Sequence, residues 1–202
     1  WQDEAASKAY LRKWVLEKKL TSRMDDLQPG EWFRTKIGEF QRLVAEWQAK
    51  QRAFNEIKRF EPKRPEGEED EFKKVAMELD IDALENVCDM GNGEPLFASF
   101  KFEDWALLTL QYELHLLQAA FTKDANDPER PGVHEDHLAF YYAKYYKKQL
   151  SPKQFGKDTV AEVVDLAKDF VKFDAERKVL VSVLPEEQQK PDVFLKGPEA
   201  SR

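Results

Sequence analysis

The chain has 202 residues, 42% of them apolar and 12% aromatic, enough for a sizeable core, while its apolar runs are too short to span a bilayer. With 39 acids against 32 bases the net charge is −7, which excludes indiscriminate attraction of the whole molecule to polyanions or anionic membranes, so any nucleic-acid contact is local. A single cysteine, Cys88, excludes an intramolecular disulfide and a cysteine-built zinc site, which suits a reducing, intracellular compartment, cytoplasmic or nuclear.

No stretch reads as a signal peptide, and a chain that begins at Trp1 without methionine is expected to be a piece of something longer. Residues 3–27 carry Leu16, Leu20, Met24 and Leu27 along one helical side, with Tyr10 and Trp14 beside them. The turn signal Gln28-Pro29-Gly30 ends that helix. In the next, Phe33, Ile37, Phe40, Val44, Trp47 and Phe54 form a seam with one gap at Gln51. The two predict an antiparallel helical hairpin over residues 1–60, or a seam that docks on other protein subunits through residues 31–60.

The acidity is concentrated in residues 61–105, with fourteen acids against five bases. EPKRPEGEEDEF cannot form a core, and residues 61–103 read as an exposed acidic linker with a short helix at FKKVAMELDIDAL and a loop at DMGNGEP. Asp80, Asp82, Glu85, Asp89 and Glu94 invite a calcium reading that fails on spacing, because Glu85 stands where the loop needs glycine and Gly91 where it needs glutamate. Gly91-Asn92-Gly93 lacks the third glycine and the preceding strand of a dinucleotide fingerprint. Cys88 stands among Glu85, Asp89 and Glu94, surroundings that disfavour a thiolate, and reads as a small apolar residue.

From residue 104 the pattern strengthens. Asp104 is placed to cap a helix in which Leu107, Leu110, Leu114, Leu117 and Phe121 form one face, widened by Leu108 and Leu116. The turn-rich KDANDPERPG follows, then a second helix over residues 135–148. Ser151, Pro152 and Gln154 predict a capped short turn closed by Gly156, and Thr159 with Glu162 predicts a capping box for a further helix that buries Val160, Val163, Val164 and Leu166. VKF and KVLVSVL alternate like the strands of a hairpin, and residues 185–202 read as a polar, proline-marked tail, loose or taken up by a neighbour.

HLAFYYAKYYKKQL, residues 137–150, packs four of the six tyrosines into one helix. At about 100° per residue, Leu138, Tyr141, Tyr142 and Tyr145 share an inward arc. Tyr146 lies at its margin, and Phe140 faces nearly opposite, beside Lys144 and Lys147. Lys144, Lys147, Lys148, Lys153 and Lys157 fall in a stretch without acids, so the candidate contact surface is Phe140, Lys144, Tyr146, Lys147, Lys148, Lys153 and Lys157: amines for phosphates, rings for bases. The same lysines also suit a solvated helix end.

Three helices followed by a hairpin suggest a winged helix. Tyr142, Tyr146, Leu150 and Phe155-Gly156, then Val160, the pair Val163-Val164 and a hairpin, resemble the LOTUS (OST-HTH) domain over about residues 104–184. The chain departs from that family at Lys147, where a glycine is usual in the tight turn after the second helix. The resemblance implies a binding module without catalysis that contacts RNA, including G-rich folded RNA, or docks on a DEAD-box helicase. Duplex-DNA readout is not expected, since the last helix before the hairpin carries Glu162, Asp165 and Asp169 against Lys168, and acids repel phosphates.

His134-Glu135-Asp136-His137 has its histidines three apart rather than the four of a zinc protease helix, with His115 the only other histidine, and reads as a polar helix start. No phosphate loop, nucleophile elbow or cysteine and histidine pair is found, so the expectation is no enzyme, no metal and no cofactor. The sequence thus predicts a mainly α protein: an N-terminal helical hairpin, an acidic linker, and a winged-helix-like domain with a small β-hairpin. It is expected to bind RNA or an RNA-associated protein, or else to serve as a structural subunit packed by its helices into a larger assembly.

Overall fold

In a computed structural model, residues 3–60, 86–90, 93–185 and 190–200 are described. The chain is mainly α-helical, with one small antiparallel sheet. In order it forms α1 (Glu4–Thr21), α2 (Glu31–Phe60), α3 (Phe102–Ala125), a 3-10 turn (Glu135–His137), α4 (Leu138–Tyr146), a second 3-10 turn (Pro152–Phe155), α5 (Val160–Asp165), β1 (Val171–Phe173), β2 (Leu180–Ser182) and α6 (Pro191–Ala200). The predicted helix at FKKVAMELDIDAL and the linker stretch EPKRPEGEEDEF lie outside the described residues.

Two compact units divide the chain, and neither is continuous in sequence: residues 1–38 join 109–189, and residues 39–108 join 190–202. The segments expected in sequence order, 1–60, 61–103, 104–184 and 185–202, are therefore not the compact units.

In the first unit the leucines of α3 become the core. Every residue from Leu110 to Leu117 is buried, so the helix is enclosed all round rather than on one face, and Gln111, Glu113 and His115 are buried with it. Gln111 Nε2 donates to the Leu166 carbonyl at 3.3 Å, while its Oε1 is buried without a hydrogen-bond partner among the described residues, and His115 Nδ1 lies 3.3 Å from Ser182 Oγ. Asp104 acts from inside the first turn rather than ahead of it, its Oδ2 accepting from the Lys101 N–H at 2.7 Å.

The expected capping box is complete. Thr159 Oγ1 accepts from the Glu162 N–H at 3.2 Å, and Glu162 Oε2 accepts from the Thr159 and Asp158 N–H groups at 3.3 and 2.9 Å. Those N–H groups hold the Glu162 carboxyl below its ordinary range. Ser151, by contrast, makes no side-chain cap; its turn is closed by Gly156 at φ +66°.

The hairpin pairs Val171 with Ser182, Lys172 with Val181 and Phe173 with Leu180. A further segment joins its edge: His134 bridges to Val179, the Leu180 N–H donates to the Val133 carbonyl at 2.8 Å, and the Glu135 N–H to the Lys178 carbonyl at 2.9 Å. Gly132 permits that approach, because a Cβ there would stand 2.5 Å from the Leu180 carbonyl oxygen.

In the connection after α1, Met24 is half-buried and Leu27 is buried; α1 itself covers Leu16 and Leu20 only in part, with Ala6, Val15 and Lys19, while Tyr10, Leu11 and Trp14 face water. It has no buried residue, and its anchors are polar. Lys19 pairs with Asp127 at 2.8 Å and Glu129 at 2.6 Å, and Arg12 also reaches Glu129. Arg130 donates to the Lys19 and Ser22 carbonyls at 2.7 and 2.9 Å, so cations meet the orphan acceptors at the helix C-terminus.

The hydrogen bonds from Lys19 hold the Asp127 and Glu129 carboxyls below their ordinary range, and those carboxylates raise Lys19. The carboxylate contribution is complete above that range and falls away as pH drops through and below about 4, whereas that of Lys19 persists to strong alkali. Amide protection across residues 4–21, taken relative to the intrinsic rate at each pH, should therefore fall below about pH 4, and also in ~1 M salt at neutral pH, before the rest of the first unit opens. Unchanged protection under both conditions would contradict an ion-paired anchor.

In the second unit, Phe40 and Trp47 of α2 are buried, as is Phe33 in the first unit, so these seam residues are covered within the chain and not left open as the alternative of docking on another subunit requires. Of the large apolar side chains of α2, Trp32 at one end and Ile57 and Phe60 at the other are exposed. The gap at Gln51 has a purpose: its Nε2 donates to the carbonyls of Phe97, Ala98 and Phe100 at 2.9, 3.3 and 2.7 Å, and its Oε1 accepts from Trp105 Nε1 at 3.2 Å.

Residues 96–100, expected in the linker, instead belong to the core of this unit. Leu96, Phe97, Ala98 and Phe100 are buried, with Phe97 and Phe100 ring centroids 5.8 and 5.2 Å from that of Trp105. Lys50 Nζ, rather than a carboxylate, reaches Cys88 Sγ, at 3.2 Å. The tail also departs from expectation: α6 buries Phe194 and Leu195 completely, because its short apolar run supplies a helical face that the surrounding polar residues obscured.

Candidate nucleic-acid interface

His134 Nδ1 accepts from the Asp136 N–H at 3.3 Å, so this histidine caps the 3-10 turn that leads into α4. His137 presents Nε2 to the Thr21 carbonyl at 2.8 Å, and because a carbonyl only accepts, that nitrogen carries the proton. Among the described residues no group of three or more metal-ligating side chains is gathered. On α4, Leu138, Tyr141, Tyr142 and Tyr145 are buried, as the 100° step predicts.

Each of the four tyrosine hydroxyls has a partner, which is why tyrosine rather than phenylalanine stands there. The Tyr141 oxygen accepts from the Met24 N–H at 2.7 Å. Tyr142 donates to the Glu113 carboxylate, Tyr145 to Asp124 Oδ2 at 2.7 Å, and Tyr146 to the Glu113 carbonyl at 2.7 Å. Burial first, and the neighbouring carboxylates second, push Tyr142 and Tyr145 far above the ordinary phenol range, so both remain donors.

The seven predicted contact residues do not form one patch. Tyr146 is withdrawn from it: its ring lies 5.2 Å from Phe33 and 4.9 Å from Tyr142, its hydroxyl is committed, and neither face is offered to a base. Lys148 is engaged as well, its Nζ 2.8 Å from Glu113 Oε1, so its charge is already matched by a carboxylate. Phe140 is half-buried, with the Arg23 guanidinium 4.2 Å above its ring and Lys144 Nζ at 5.5 Å. Lys144 itself donates to the Asp25 carbonyl.

Lys147 and Lys153 are exposed and Lys157 is half-buried, and among the described residues none of the three is in an ion pair. The residue that sequence reasoning missed is Arg23. Nothing local reveals it, since it reaches α4 from the connection between α1 and α2. Glu162 and Asp165 of α5 are exposed, and so are Lys168 and Asp169, which lie in the turns after the helix rather than on it.

Lys147 caps α4 at φ +58° and ψ +24°, the left-handed conformation that glycine adopts without steric cost. Its N–H bonds the Ala143 carbonyl at 3.0 Å, so the turn is fixed by the helix end. Lys147→Gly should raise stability by about 1 kcal/mol and Lys147→Val should lower it by at least as much, measured by urea denaturation. A loss on the glycine change would mean that the lysine side chain contributes more than its strained backbone costs.

No family model, curated protein or solved structure matches the chain.

Proposed function

We propose that the chain is a non-enzymatic binding module, winged-helix-like and of LOTUS type over about residues 104–184, that contacts RNA or an RNA-associated protein. The carrying observation is the turn after α4, where Lys147 holds a left-handed cap and Lys147, Lys153 and Lys157 are free of ion pairs among the described residues. Amines not already neutralised by the protein release counterions when they meet phosphates. The backbone at Lys147 supports the resemblance, because the position usual for glycine in that family is one that requires positive φ here. No described helix is long and apolar enough to cross a membrane.

The test is a titration of single-stranded and folded RNA at several salt concentrations against the wild type and the triple variant Lys147→Glu, Lys153→Glu, Lys157→Glu. The wild type should bind with affinity falling steeply with salt, and the variant at least tenfold more weakly with a shallower slope. Equal binding by the two, or none by either, removes the RNA reading.

One observation favours a second reading, a structural subunit held by its helices: α1 exposes Tyr10, Leu11 and Trp14 together. Under that reading, replacing Tyr10 and Trp14 by serine weakens assembly in sedimentation and leaves RNA titrations unchanged.

A further inference from the structure

We infer that Arg23, stacked on Phe140, forms a ledge for one unpaired nucleobase of a single-stranded RNA, beside the lysines at the end of α4. This rests on the RNA reading above and adds the form of RNA recognised. The guanidinium carbon lies 4.2 Å from the Phe140 ring centroid, and Arg23 Nε is held by Asp25 Oδ1 at 2.5 Å. With the guanidinium carbon over the ring, the Arg23 side chain keeps 46% of its surface in water. A guanidinium plane stacks on a base as an aromatic ring does and adds positive charge.

The ledge is preorganised, which lowers the ordering cost of binding. Around it the Met24 N–H is fixed to the Tyr141 hydroxyl at 2.7 Å, Arg130 holds the Ser22 carbonyl at 2.9 Å, and Lys144 holds the Asp25 carbonyl. The segment bearing Arg23 is thereby tied to the helix bearing Phe140. Lys144 follows Phe140 by one turn of α4, its Nζ 5.5 Å from the Phe140 ring centroid, and Lys147 is the left-handed cap that ends the helix. A base on Arg23 therefore places its own strand near an ammonium group, and the unpaired Lys147 is the available phosphate ligand. Every base offers a π-face, so the ledge selects strandedness rather than sequence, and bases paired within a duplex are denied to it.

The experiment compares a short oligouridylate with an abasic ribose-phosphate oligomer of the same length, titrated into the wild-type chain and into Arg23→Lys, which keeps the charge and removes the plane. The wild type should bind the base-bearing oligomer about tenfold more tightly. Arg23→Lys should erase that preference and leave the abasic affinity unchanged. A wild type that does not distinguish the oligomers, or a lysine variant that keeps the preference, overturns the ledge while RNA binding stands. A chain that binds neither overturns both.

Discussion

Replacing Gly132 by alanine is expected to destabilise the chain by about 3 kcal/mol, although it adds only one carbon. That carbon would stand 2.5 Å from the Leu180 carbonyl oxygen, a backbone atom that cannot rotate away as a side chain does. The segment at 132–135 must then separate from β2, which weakens the bonds from Leu180 N–H to Val133 and from Glu135 N–H to Lys178. Two hydrogen bonds at about 1 kcal/mol each, together with strain of similar size, give the estimate. Gly38→Ala is the control: a Cβ there meets nothing within 4 Å, and in the interior of α2 alanine should gain up to about 1 kcal/mol. Urea denaturation of both variants reads the contrast, and two equal midpoints would reject the packing argument.

The second large effect lies at Glu113. Its side chain is 6% exposed, and the carboxylate accepts from the Tyr142 hydroxyl and pairs with Lys148. Glu113→Ala leaves a buried phenol without an acceptor and opens a cavity, at a cost of about 3 kcal/mol. Lys148→Ala should cost less than about 1.5 kcal/mol, since the Lys148 side chain is 48% exposed and water replaces part of what it loses. Tyr142→Phe combined with Glu113→Ala should cost clearly less than the two single changes summed, by about 1 to 2 kcal/mol. Strict additivity in that cycle would show that the phenol and the carboxylate do not stabilise each other.

What could be read in advance was local. The 3.6-residue period located α2 and α3 but ran α1 on to residue 27, where it ends at Thr21, and set over 135–148 a helix that spans Leu138–Tyr146; Thr159 and Glu162 announced their capping box, and the alternation around Asp174 to Arg177 announced the hairpin. Three of the four tyrosines of α4 could be assigned inward from one helical wheel, because a wheel assumes one partner and α3 is that partner. Tyr146 escaped, since a second partner, Phe33, arrives from α2. The same limit applies to Lys148, whose spacing within a run of lysines carries no trace of the carboxylate that neutralises it. Gln51 read as a fault in a seam, and only the carbonyls gathered at 97–100 show it to be a clamp. Long-range partner choice is absent from local pattern, and that is where both the site and the division into units were decided.

The tyrosine anchors have a consequence for how the chain is made. The Met24 amide and the hydroxyl it meets are 117 positions apart, and Lys144 and the carbonyl of Asp25 are 119 apart. During synthesis at about 5–20 residues per second, the N-terminal segment waits on the order of ten seconds before its mooring leaves the ribosome. A nine-residue α4 does not hold a helix alone, so the two ends are expected to order together and late. Nascent chains stalled short of α4 should leave residues 22–30 open to protease, and chains released beyond the hairpin should close that window.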